Sequence, residues 1–191
     1  MINESNSQDG IITDVNSAIA AGVKVIHYSE KKLRKSQILE NAYVLAALCK
    51  KNNVLFIIED YPDIAALVGA DGVHLTQQDF SIEHVRSMVG PEKYIGMQFT
   101  CLRDAVHAEE NGVDYLCIGA SLHGEKISTK AMLNTIKKMK ELLTIPIIAM
   151  GEFSLDDVQA LLGIGVGGVA LRSHFYKGDE LQQNIKQVLA L

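Results

Sequence analysis

His27, Ser29 and Lys31 stand two residues apart in a stretch where the residues between the first two and before them, Tyr28 and Ile26, are aromatic or apolar. Side chains alternate between the two faces of a strand, so an imidazole, a hydroxyl and an ammonium share one face here. That row can turn into the interior of a closed sheet, and its ammonium can meet an anion. The plainer reading of Lys31 is a solvated lysine beside Lys32 and Lys35, and His27 reads equally well as filler. His123 lies in a polar stretch and titrates near neutrality where it is exposed. His74 lies in an apolar run and reads as a packed, satisfied strand histidine. Cys49, Cys101 and Cys117 form no CxxC pair, which argues against a disulfide framework and against structural zinc.

The elements that must position these residues are marked by a repeated punctuation. Ala21-Gly22-Val23, Gly69-Ala70-Asp71-Gly72-Val73, Asn111-Gly112-Val113-Asp114 and Gly163-Ile164-Gly165 each end a helix-like segment in glycine and lead into a β-branched run. Glycine just past a helix is the usual left-handed cap, and a two- to three-residue link to a strand is the common helix-to-strand loop. The spacing predicts seven strands: Val23–Ser29, Val54–Glu59, Gly72–Thr76, Tyr94–Phe99, Tyr115–Ala120, Pro146–Gly151 and Gly168–Arg172. Short runs rich in Val and Ile are the composition of parallel strands covered on both faces. Ile38, Ala42, Leu45 and Cys49 follow helical spacing, as do Met132, Ile136, Met139 and Leu143, while Ser154 and Asp157 read as a capping box.

Alternating strands and helices imply a parallel α/β sheet. No Gly-x-Gly-x-x-Gly follows the first strand, and Gly165-Val166-Gly167-Gly168 precedes a strand rather than a helix, so a dinucleotide-binding sheet is disfavoured. The expectation is a TIM (β/α) barrel. With 191 residues against ~250 for a typical eight-unit barrel, and only a polar tail before the helix-like Ile11 to Ala21, the first strand is expected to be missing or reduced. The division expected is a disordered or irregular tail over 1–10 and one barrel domain over 11–191. A net charge of −5 without a Lys/Arg cluster favours neither nucleic acid nor an anionic membrane. The polar first residues are no signal segment, and no apolar stretch approaches ~20 residues, so a cytoplasmic protein is expected. An open seam bares unpaired strand groups. Cover from the tail or from a partner chain is therefore expected, with a homodimer the specific forecast.

The stretch Gly69-Ala70-Asp71-Gly72-Val73-His74-Leu75-Thr76-Gln77-Gln78-Asp79 resembles the G-A-D-G-V-H-L-x-Q-x-D signature of thiamin phosphate synthase and of its relative, the thiazole tautomerase. Flanking strands agree in order: Phe56-Ile57-Ile58-Glu59-Asp60, Ile95-Gly96, Pro146 to Gly151, and Val169 to Ser173. The resemblance implies an enzyme that joins a pyrimidine diphosphate to a thiazole phosphate, releasing pyrophosphate with the help of magnesium. On that likeness Asp60 and Asp79 match the metal ligands. Lys31 and Lys126 match the catalytic lysines, and His27, Ser29, Gln98, Gly151, Arg172 and Ser173 fall at substrate or phosphate positions. A carboxylate-held cation would offset the charge that gathers on a departing diphosphate.

The departures fall on those same positions. Where the family has Gln-x-Arg-x-Lys, this chain has His27-Tyr28-Ser29-Glu30-Lys31, and Glu59 replaces an asparagine. Gln98 replaces a serine, the shorter Ser121-Leu122-His123-Gly124-Glu125-Lys126 replaces a Pro-Thr-x-Thr-Lys loop, and Gly151-Glu152 replaces a Gly-Gly nest. Arg172 stands where a small apolar residue is usual, and an internal pair with Glu152 would neutralise it. A charged hydrogen bond contributes ~1.5–3 kcal/mol, so losing two or three removes roughly 5 kcal/mol, or 10³- to 10⁴-fold in affinity. Three readings follow: an active synthase-like transferase, a catalytically silent relative that binds or interacts, and a tautomerase-like isomerase. The last would need a base that His123 supplies only from a displaced position, since Ala120 stands where the tautomerase's histidine is expected.

Overall fold

The computed structural model describes residues 1–2, 7, 10–76, 81–99, 101–119, 121–122, 125–171 and 181–191, with the side chains of 121–126 and 181 set aside. The expected alternation is present throughout. Helix α1 (Ile11–Ala20) leads to β1 (Val25–Tyr28), then α2 (Lys35–Lys51), β2 (Leu55–Glu59), α3 (Pro62–Val68), β3 (Gly72–Leu75), α4 (Ile82–Val89), β4 (Tyr94–Phe99), α5 (Leu102–Glu110) and β5 (Tyr115–Gly119). A two-residue pair, β6 (Ser121–Leu122) and β7 (Glu125–Lys126), precedes α6 (Thr129–Lys140). Strand β8 (Ile147–Gly151), α7 (Leu155–Gly163), β9 (Gly168–Leu171) and α8 (Leu181–Leu189) complete the chain.

Seven strands pair in parallel in the order β1-β2-β3-β4-β5-β8-β9. All seven expected strands are therefore present, each within a residue or two of its expected bounds, and Arg172 falls outside the described residues. The antiparallel β6–β7 pair replaces what read as a plain loop, since two-residue strands leave no period to detect.

The punctuation has a physical role. Gly69 takes a left-handed conformation (φ 67°) that ends α3. Two residues on, the Asp71 carboxylate accepts from the Phe56 N–H at 2.8 Å. The second copy of the device repeats this: Gly112 has φ 84°, and the Asp114 carboxylate accepts from the Ile95 N–H at 2.7 Å and meets Arg86 at 2.7 Å. Each aspartate thus satisfies a strand N–H at the rim where the strands begin.

The outward faces of the strands and the inward faces of the helices form one apolar layer containing Ile26, Tyr28, Phe56, Ile58, Val73, Ile95, Leu116 and Ile118. Ile38, Ala42, Leu45, Cys49, Met132, Ile136, Met139 and Leu143 bury as their spacing predicts, and Ser154 with Asp157 forms the expected capping box. All three cysteines are free thiols.

Among the described residues, the barrel's first strand is represented by a bridge of Ile2 opposite Tyr28. Ile2 donates to His27 O at 2.8 Å and accepts from Ser29 N at 3.0 Å, while the Met1 nitrogen donates to Leu171 O at 3.1 Å. Two residues thereby touch both edge strands, β1 and β9, and α1 packs against α8 across the same gap. Among the described residues the tail supplies part of the expected cover for the seam. Among the described residues, no helix is long and apolar enough to cross a membrane.

Candidate active site at the strand C-terminal rim

The inward row of β1 behaves as its alternation requires. Ile26 and Tyr28 enter the outer core, and His27, Ser29 and Lys31 converge on Glu59, the last residue of β2. Ser29 Oγ donates to Glu59 Oε1 at 2.7 Å, and Lys31 Nζ lies 3.3 Å from the same oxygen. His27 Nε2 lies 3.2 Å from Glu59 Oε2, without the alignment of a hydrogen bond. Glu59 is 3% exposed. Burial pushes its carboxyl up, but His27, Ser29 and Lys31 together outweigh that and hold it at about 2, so it is ionised at neutral pH.

Asp60 is one residue beyond β2 in a left-handed conformation (φ 60°), which aspartate tolerates better than most residues. That turn folds its carboxylate onto the end of β3. Thr76 N donates to Asp60 Oδ1 at 2.8 Å, and the Thr76 hydroxyl donates to Oδ2. Lys31 Nζ stands 3.1 Å from Oδ2 and 3.4 Å from Thr76 Oγ1. Burial opposes the Lys31 charge, yet the charge of Glu59 and the bond to Asp60 raise its pKa above the ordinary value. Lys31 and Asp60 therefore meet at one rim, as expected.

His74 lies opposite Glu59 in the register of β2 and β3. Its ring sits edge-on to His27 at 5.0 Å and stacks on Tyr115 at 5.8 Å. It is completely buried, but neither ring nitrogen has a hydrogen-bond partner among the described residues. This corrects half of the expectation: His74 is packed but not satisfied. Burial first, and then the charge of His27, push its pKa down to about 3, so the ring is neutral. Gln98 is half-buried on β4, two residues beyond Gly96, where an added Cβ would overlap the Tyr115 ring. Its register partner, Cys117, is buried, and burial pushes that thiol up, which makes it inert.

Gly151 ends β8 opposite Leu171, at the same end of the barrel. Lys126 is in β7, its side chain undescribed. Asp79, Arg172, Ser173 and His123 lie outside the described residues. Sequence reasoning missed Thr76, although it sits at the open position of the signature, and it missed Tyr115, whose partner Gly96 was the available sign.

A parallel βα barrel with its charged groups gathered at the strands' C-terminal ends belongs to the TIM-barrel class, whose small-molecule sites occupy that end. The pattern of the thiamine monophosphate synthase family matches residues 1–175. A thiamine-phosphate synthase from Persephonella marina is 33% identical over 181 residues, covering 93% of this chain and 86% of that protein. One from Clostridioides difficile is 30% identical over 175 residues, covering 91% and 83%. The structure of a thiamine phosphate pyrophosphorylase from Pyrococcus furiosus superposes with a TM-score of 0.84 at 27% identity, covering 95% of this chain and 89% of that one. The chain belongs to the thiamine monophosphate synthase family.

Proposed function

We propose that this chain is a cytoplasmic, thiamin phosphate synthase-like transferase that joins a pyrimidine diphosphate to a thiazole phosphate. What supports the reading is the approach of Lys31 to Asp60, 3.1 Å apart in the segments that follow β1 and β2 at the rim, in a chain similar over most of its length to thiamine-phosphate synthases. Asp60 is the right kind of donor for magnesium, a hard cation that prefers carboxylate oxygen. Among the described residues, one of its oxygens is held by Lys31 and Thr76, and Lys31 can swing away because its side chain is half exposed. No group of three metal-ligating side chains occurs among the described residues, and Asp79 would complete the site from outside them. When bound, magnesium would offset the charge of the diphosphate leaving group. Lys31 would neutralise a diphosphate oxygen, Lys126 would reach over the mouth, and Gly151 with Ser173 and Arg172 would receive the second phosphate. Gln98 and His27 would line the ring between them.

The capture of Lys31, Ser29 and His27 by Glu59 favours a second reading, a silent relative that binds a phosphorylated small molecule without turning it over. Thermal unfolding with magnesium and pyrophosphate, followed by a direct assay for coupled product, separates the two. The transferase reading expects a rise of several degrees at saturating ligand, lost in Asp60→Ala, together with product. Ligand-dependent stabilisation without product leaves the silent relative. Neither effect would remove both readings.

A further inference from the structure

We propose that Glu59 is a built-in anion, filling the place on the β1 polar row where the acid group of a small ligand would sit and thereby setting which ligands the mouth accepts. Three polar groups of different chemistry, an imidazole on β1 and a hydroxyl and an ammonium at alternate positions just beyond it, lie within 3.3 Å of a single carboxylate at the end of β2. Convergent donors of that kind are what bind a free carboxylate or phosphate oxygen. Here both acceptor oxygens belong to the protein. Glu59 Oε1 takes Ser29 and Lys31, and Oε2 takes the approach of His27.

Two consequences follow from the geometry. An incoming anion that recruits Lys31 must draw it from two carboxylates at once, since Nζ lies 3.3 Å from Glu59 and 3.1 Å from Asp60. That anion also meets a second negative charge that is 3% exposed and so poorly screened by water. Free phosphates and diphosphates are therefore rejected, whereas a ligand that brings its own cation is not. Glu59 is in this sense a specificity-determining residue, and its replacement opens an anion site instead of only weakening the cluster. The inference stands apart from the transferase reading, because the observable is metal-free anion binding and requires no product.

The test compares the wild type with Glu59→Ala and Glu59→Gln in chelator, at matched ionic strength, titrated with formate, orthophosphate and pyrophosphate. Saturation must be shown, because phosphate also stabilises proteins non-specifically. Glu59→Ala leaves a carboxylate-sized gap among three donors and is expected to bind formate and phosphate saturably, at least ~10-fold more tightly than the wild type. Glu59→Gln keeps the shape without the charge and is expected to gain pyrophosphate affinity by a similar factor. It decides the matter alone if Glu59→Ala does not fold. Adding Ser29→Ala to either variant is expected to erase the gain. Wild-type affinity equal to that of the variants, no binding in either variant, or a gain that survives Ser29→Ala would each overturn the proposal.

Discussion

The imidazole of His74 combines complete burial with two ring nitrogens that find no partner among the described residues. An unsatisfied buried polar group costs about 1–3 kcal/mol, and replacing it with an apolar group of similar size can be neutral or better. His74→Leu is therefore expected to unfold in denaturant within about 1 kcal/mol of the wild type at pH 7. A loss well beyond ~2 kcal/mol would mean that the ring holds ordered water or a ligand in solution. The ring also predicts a pH dependence. Its folded-state pKa is about 3, below the ordinary imidazole value, so the unfolded chain takes up the proton first. Stability from this group is complete above the unfolded value and falls as the pH drops toward the folded one. The expected loss is about 2 kcal/mol between pH 7 and pH 5. The difference between wild type and His74→Leu isolates that loss from the other titrating groups, and parallel curves for the two proteins would contradict it.

Strands β4 and β5 are joined by shape as well as by their parallel ladder. Gly96 faces Tyr115 in the register, and the ring fills the space that a side chain on Gly96 would need. Forcing a methyl into that space is expected to cost about 1–3 kcal/mol in Gly96→Ala. The cost should shrink when Tyr115→Leu has already vacated the space, so a double-mutant cycle in denaturant should show clear coupling; additive effects would mean the ring moves freely. Strand runs such as Val23–Ser29 were legible because a run rich in β-branched residues just after a glycine cap leaves few alternatives. The cap positions were legible for the same reason, and the aspartates at 71 and 114 repeat with them. The meeting of His27, Ser29 and Glu59 was not legible. Alternation places His27 and Ser29 on one face, but only the register of β1 against β2, with Tyr28 opposite Ile58, brings Glu59 level with them. Resemblance marked Glu59 as an unfavourable charge, whereas its environment makes it the centre of the cluster. The β6–β7 pair and the Thr76–Asp60 bond depend on loop geometry that no periodicity encodes.

At the scale of the whole barrel, the described part of the closure involves Met1 and Ile2. Ile2 is 3% exposed and makes two backbone bonds to His27 and Ser29 along the β1 edge, and the Met1 nitrogen donates to Leu171 O on β9. A short sequence with a polar start points to a reduced first strand, but it cannot show that a buried isoleucine at position 2 pairs with the edge. The reason is geometric: the sheet curls until β1 and β9 come within reach of the same two residues, and α1 against α8 supplies the apolar cover that a longer strand would otherwise share. A homodimer remains a proposal for light scattering to test. Ile2→Pro removes the donor to His27 O, and a proline nitrogen cannot replace it. The variant is expected to lose about 1–3 kcal/mol in denaturant. It should also bare the edge of β1, and a bared parallel edge is a template for pairing with another chain. Its apparent mass in light scattering should therefore rise with concentration more steeply than that of the wild type. Unchanged stability with unchanged mass would mean that something other than Ile2 covers the edge of β1, and that the first two residues are not what closes the barrel.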